Sequence, residues 1–145
     1  MRRTSIDIDP DPSRGITALG NKVPAVFCDA VRVEAAGCTF LYISGKMALD
    51  KDNQLVGRTM REQTTQVLEN IKAVLAHEGG TMDDIVRVRV YVTQLDAESL
   101  RDIHDVRSRY FTKGTYPAST LVRVDQFVRD GGLIEIDADA VLPAR

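Results

Sequence analysis

Three carboxylates stand two residues apart near the end of the chain, Glu135, Asp137 and Asp139, and two guanidiniums, Arg87 and Arg89, repeat at the same spacing upstream. In an extended strand that spacing puts each set on one face. On a solvated face they would neutralise one another as ion pairs, each worth at most about 1 kcal/mol. Shut away from water, Glu135 beside Asp137 would instead bind its proton more tightly, as acid–base work requires. His104 and Arg107 are three residues apart, so both can share one helical face and combine an imidazole proton donor with a fixed cation. The only cysteines, Cys28 and Cys38, are too few for a disulfide framework or a four-cysteine zinc site. His77 and His104 are the only histidines, so no metal site is expected. A nucleophilic Cys28 would need an activating base that the sequence does not display, and a packed thiol is the expectation.

The elements that must position these groups follow from periodicity. Val67, Leu68, Ile71, Val74 and Leu75 recur at helical spacing between Thr59 and Glu78, and Gly79-Gly80 stop the helix. Residues 85–93 switch to period two, with Val86, Val88, Val90 and Val92 on one face and Ile85, Arg87, Arg89 and Tyr91 on the other. A second helix is predicted from about Asp96 to Phe111, with Leu100, Ile103, Val106 or Arg107, and Tyr110 on one side. Further strands are predicted around Val31 and Val33, over Thr39–Ser44, over Ser119–Asp125 and over Leu133–Leu142. In the last of these, Ile134, Ile136, Ala138, Ala140 and Leu142 alternate with the acidic residues. Ile6 and Ile8 suggest a short edge strand, followed by a loop punctuated by Pro10, Pro12, Gly15, Gly20 and Pro24. The order β-β-α-β-α-β-β is an α+β plan in one domain, with two helices covering one face of a single sheet. The other face would carry Arg87, Arg89, Ser119, Leu121, Arg123, Glu135, Asp137 and Asp139, either in solvent or against other subunits.

Composition narrows the function classes. The 145 residues match one domain, and 43% hydrophobic content suffices for a core. Nineteen Lys and Arg against twenty-one Asp and Glu give a net charge of −2, which argues against a general nucleic-acid or anionic-membrane binder. Tryptophan is absent and aromatics make up 6%, which weakens a base-stacking platform. No apolar run approaches the ~20 residues of a membrane span. Arg2 and Arg3 have no apolar stretch behind them, so no secretory signal is read and a cytoplasmic location is expected.

Several motifs resemble those of the Rid (RidA/YjgF) family of imine and enamine deaminases: Ile43-Ser44-Gly45, Gln63-Thr-Thr-Gln66, residues 68–75, Gly79-Gly80, Tyr91-Val-Thr93, Tyr110-Phe111, Tyr116-Pro117-Ala118 and Ile134-Glu135-Ile136. The likeness runs over residues 25–142, with residues 1–24 as an N-terminal strand and loop of the same single domain. It implies a chorismate-mutase-like fold, a single mixed sheet with two helices on one face, and a homotrimer with clefts between subunits. The implied reaction hydrolyses a reactive imine or enamine to a carbonyl product and ammonia, without cofactor or metal. Glu135 falls where the family holds or activates the water, and Ser44 and Gly45 fall in its pocket, as does Phe27 at the place of a pocket tyrosine. The family's Pro-Ala-Arg, whose guanidinium takes the substrate carboxylate, is here Pro117-Ala118-Ser119. His104 and Arg107 fall on the family's helix-two asparagine and tyrosine. His104 could thus supply the proton and Arg107 the missing cation. Loss of the strand arginine implies a substrate other than a simple 2-imino acid, such as an aminomuconate-type enamine. The alternative is an accessory trimer that binds a small molecule and has lost the chemistry.

Overall fold

The computed structural model describes residues 1–8, 15–18 and 21–143. Its main sheet contains β1 (Arg2–Ile6), β4 (Ala30–Ala35), β5 (Cys38–Lys46), β8 (Ile134–Pro143), β6 (Ile85–Val92) and β7 (Ala118–Arg123), in that spatial order. Every neighbouring pair is antiparallel except β6 and β7, which run parallel. Helices α1 (Met60–His77) and α2 (Ala97–Arg107) belong to the segments between β5 and β6 and between β6 and β7. The sheet is therefore mixed, and the expected α+β architecture is the one found. A separate hairpin joins β2 (Gly15–Ala18) to β3 (Asn21–Pro24), where a loop was predicted. Pro10, Pro12 and Gly20 lie outside the described residues.

The long helix forms where its pattern says it must. Thr59 caps it, accepting from the Glu62 N–H at 3.2 Å while the Glu62 carboxylate accepts from the Thr59 N–H at 3.1 Å. At the other end Gly79 takes a positive φ of 72°, and the N–H groups of Gly79 and Gly80 donate back to the carbonyls of Ala76 and Leu75. Val67, Leu68, Ile71, Val74 and Leu75 are all buried against the sheet. Opposite them lie Val88, Val90 and Val92 of β6 and Ile134, Ile136, Ala138, Ala140 and Leu142 of β8, also buried. Each large apolar side chain so removed from water contributes about 1.5–3 kcal/mol before entropy is counted.

Three local readings differ from the sequence expectation. Val86 is 49% exposed while Ile85 is buried, because the β6–β8 register shifts between Ile85 and Arg87 and a bulge reverses which of the two faces the core. Helix α2 starts on its Asp96 cap but ends at Arg107, and it buries Ser99, Ile103 and Val106 while leaving Leu100 exposed. The third concerns β7. In the parallel pairing Val88 lies beside Ser119, Val90 beside Leu121 and Val92 beside Arg123, and residues side by side in a parallel pair share a face. Ser119, Leu121 and Arg123 thus point to the helix side, leaving Ala118, Thr120 and Val122 on the open face with Arg87 and Arg89. Among the described residues no helix is long and apolar enough to cross a membrane.

Candidate functional site

The sequence-predicted residues separate into two groups. The first is built on a second bulge. Pairing of β5 with β8 breaks between Ile43 and Lys46, which leaves Ser44 and Gly45 outside the ladder. The freed segment is tied to the preceding loop, where the Ser44 N–H donates to the Asp29 carbonyl at 3.0 Å and its hydroxyl to the Cys28 carbonyl at 2.7 Å. Lys46 and Asp29, both largely buried, make an ion pair that locks the same two segments. Phe27, one residue before Cys28, is 58% exposed.

Glu135 comes to this bulge from β8. Its carboxylate lies over the backbone of Gly45 so closely that a Cβ there would sit 2.1 Å from Glu135 Oε1. Only glycine fits. Burial, and after it the neighbouring Asp137 charge, push the Glu135 carboxyl above the ordinary glutamate range. Among the described residues no cation stands within ion-pair distance of it. Across β6, Tyr91 is in register with Glu135, and its phenol is raised by burial and then by Asp137. The next pair along, Arg89 and Asp137, is an ion pair of 2.6 Å, and Arg89 also reaches Asp139 at 2.8 Å.

The second group lies at the outer edge of the sheet. Arg107, in the last turn of α2, donates from Nη2 to the Ser119 hydroxyl at 3.1 Å. Its guanidinium carbon stands 5.8 Å from the centre of the Phe111 ring. The group is half-buried, has no acidic partner among the described residues, and burial lowers its proton affinity. His104, one turn earlier, is exposed, and its ring has no hydrogen-bond partner among the described residues.

One chain does not bring the two groups together. Glu135 projects from the open face of β8, whereas Ser119 projects from the helix side of β7, with β6 between them. Two strand spacings are about 10 Å, and the sheet itself stands in the way.

Sequence reasoning gave no role to the residues that hold the first group in place. Gln63 of α1, completely buried, donates to the carbonyls of Gly131 at 2.9 Å and Gly57 at 3.2 Å and accepts from the Leu133 N–H at 2.8 Å. It fixes the entry into β8 two residues before Glu135. Asn70 donates to the carbonyls of Met47 and Leu49 and so anchors the exit from β5. The available signal was a glutamine and an asparagine on the apolar side of a helix, since buried amides are retained where they satisfy backbone groups.

The class is defined by the fold, one mixed main sheet with two helices. Residues 23–142 match the sequence profile of the family described as Endoribonuclease L-PSP, and the chain belongs to this family, also called Rid or YjgF. Protein DfrA of Myxococcus xanthus is 38% identical over 142 residues, 97% of each chain. A RutC family protein of Saccharolobus solfataricus is 42% identical over 97 residues, 66% of this chain and 74% of that one. Among solved structures, the Rid family protein YyfA of Yersinia pestis is 30% identical, with a TM-score of 0.71 over 96% of this chain and 98% of its own.

Proposed function

We propose that the protein hydrolyses a reactive imine or enamine metabolite in the cytoplasm, releasing a carbonyl product and ammonia. The observation that carries this reading is Glu135, a half-buried carboxylate with no cation partner among the described residues, set over Gly45 with its proton affinity raised. Water adds to the C=N carbon while Glu135 takes its proton. The same carboxyl returns that proton to nitrogen to give a carbinolamine. It then passes the carbinolamine's hydroxyl proton to the same nitrogen, so that the C–N bond breaks and ammonia leaves as the C=O bond forms. Ser44 and Gly45 line the pocket on the Glu135 side, with Phe27 at its rim. On the other side Arg107, steadied by Ser119, holds the anionic part of the substrate, and His104 offers a second proton source.

The separation of the two groups supports a homotrimer, in which the edge of one chain would meet the open face of the next. Scattering-coupled gel filtration should give three times the chain mass, and a monomer would leave the site in halves. No cofactor or metal enters the proposed reaction. With serine at 119 in place of the strand arginine, the substrate is not a simple 2-imino acid, and a pathway-specific enamine is the better candidate.

Ammonia release tests this directly. Enamines generated in situ, with and without an α-carboxylate, should decay faster with the protein than in buffer, and Glu135→Ala should abolish the difference. No acceleration for any of them would favour the second reading, a small-molecule-binding trimer without chemistry, which the serine at 119 supports. The nuclease activity in the family's description draws no support from the net charge of −2 or the 6% aromatic content.

A further inference from the structure

A cation stands beside Glu135 without touching it. Arg89 is directly opposite Asp137 in the antiparallel β6–β8 pair. Its two diagonal neighbours on β8 are therefore Glu135 and Asp139, about 7–8 Å away along the sheet and equally within range of a long side chain. The guanidinium has taken one of them: Nη1 donates to Asp137 Oδ1 at 2.6 Å, and Nη2 to Asp139 Oδ2 at 2.8 Å.

We propose that Asp139 is a positioning residue, holding the Arg89 guanidinium on the far side of Asp137 and thereby keeping Glu135 free of a cation. The inference rests on the reading of Glu135 as the proton-transfer group. Without Asp139, the fork of Arg89 loses its second acceptor and the other diagonal carboxylate is Glu135. A guanidinium across Asp137 and Glu135 would hold Glu135 ionised as an ion-pair member and leave it a poor base. Arg87, in register with Asp139, is exposed and forms no ion pair among the described residues, so it does not compete for the position. Among the described residues the charged or titratable groups on the Glu135 face beside it are Asp137 on its own strand and Tyr91 and Arg89 on β6, while Lys46 of β5 stands in register with the buried Ile136 on the other face. The Lys46 ammonium is already committed to Asp29.

The experiment follows the Glu135 side-chain carboxyl by carbon-13 NMR across pH in the full-length protein, and needs no substrate. Asp139→Ala should lower the Glu135 midpoint by about one pH unit or more. Adding Arg89→Met to it should return the midpoint to the wild-type position or above. Asp139→Asn, which keeps the shape and removes the charge, should shift it in the same direction and serves if the alanine variant does not fold. An unmoved midpoint in the single variants, or a low midpoint that survives loss of Arg89, overturns the proposal. A failed ammonia assay would sink the deaminase reading without touching this titration.

Discussion

Among the described residues, a carboxylate at the β5 bulge is half-buried with no cation beside it, and a guanidinium at the β7 edge is half-buried with no anion beside it. Burial drives each toward its neutral form, Glu135 upward in proton affinity and Arg107 downward. Other buried charges among the described residues are paired. Lys46 of β5 and Asp29 of the loop before β4 neutralise one another, and Arg32 of β4 reaches Glu78 at the end of α1 at 3.2 Å. Paired charges join elements of the fold, whereas an unpaired one is a cost that persists until something from outside the chain answers it. The two regions need opposite things, a polar reactant in one case and an anion in the other. A single substrate lying between two chains could supply both.

Four experiments bear on that contrast. The largest effect is expected from Gly45→Ala, whose methyl group cannot coexist with Glu135 in its present place. Ammonia release should fall about 100-fold, with the circular dichroism spectrum unchanged; full activity would mean that the carboxylate position does not matter. Next, Arg107→Ala should raise KM for carboxylate-bearing substrates about tenfold with little change in kcat. Unchanged binding of such ligands would remove the guanidinium from the site. The third is a stability measurement on Glu135→Gln. Because the folded state raises this carboxyl, the stability it contributes is present below the ordinary glutamate range and is lost as pH rises through the folded midpoint. The glutamine variant should therefore have a Tm about 2–4 °C higher than wild type near pH 7, with the gain disappearing in acid. The smallest effect belongs to Ser119→Ala, which removes one uncharged acceptor from the Arg107 guanidinium and should change KM by about threefold or less. A loss as large as that of Arg107→Ala would make Ser119 itself the ligand contact.

Much of the fold was legible because local rules and burial agree along it. The Thr59 cap, the apolar stripe of α1 and the glycine stop all coincide with the helix found, and the alternation of β8 separates its buried from its part-exposed residues without exception from Ile134 to Leu142. Val86 was misassigned because period-two reading assumes an unbroken strand, and a bulge reverses the parity of everything before it. Ser119 was placed on the wrong face for a different reason. Alternation says which residues of a strand share a face, but the pairing partner decides which face that is. Gln63 and Asn70 stayed unassigned because their partners are backbone groups far along the chain.

By itself the sequence determined the elements, the core residues and the family, since these follow from periodicity, capping and ordered motifs within short windows. Only the tertiary structure decided that Glu135 rests on Gly45, that Arg107 reaches Ser119, and that the sheet keeps these two pairs apart. Register and bulges set those relations, and both arise from hydrogen bonding between strands distant in the chain, which no local pattern of residues encodes.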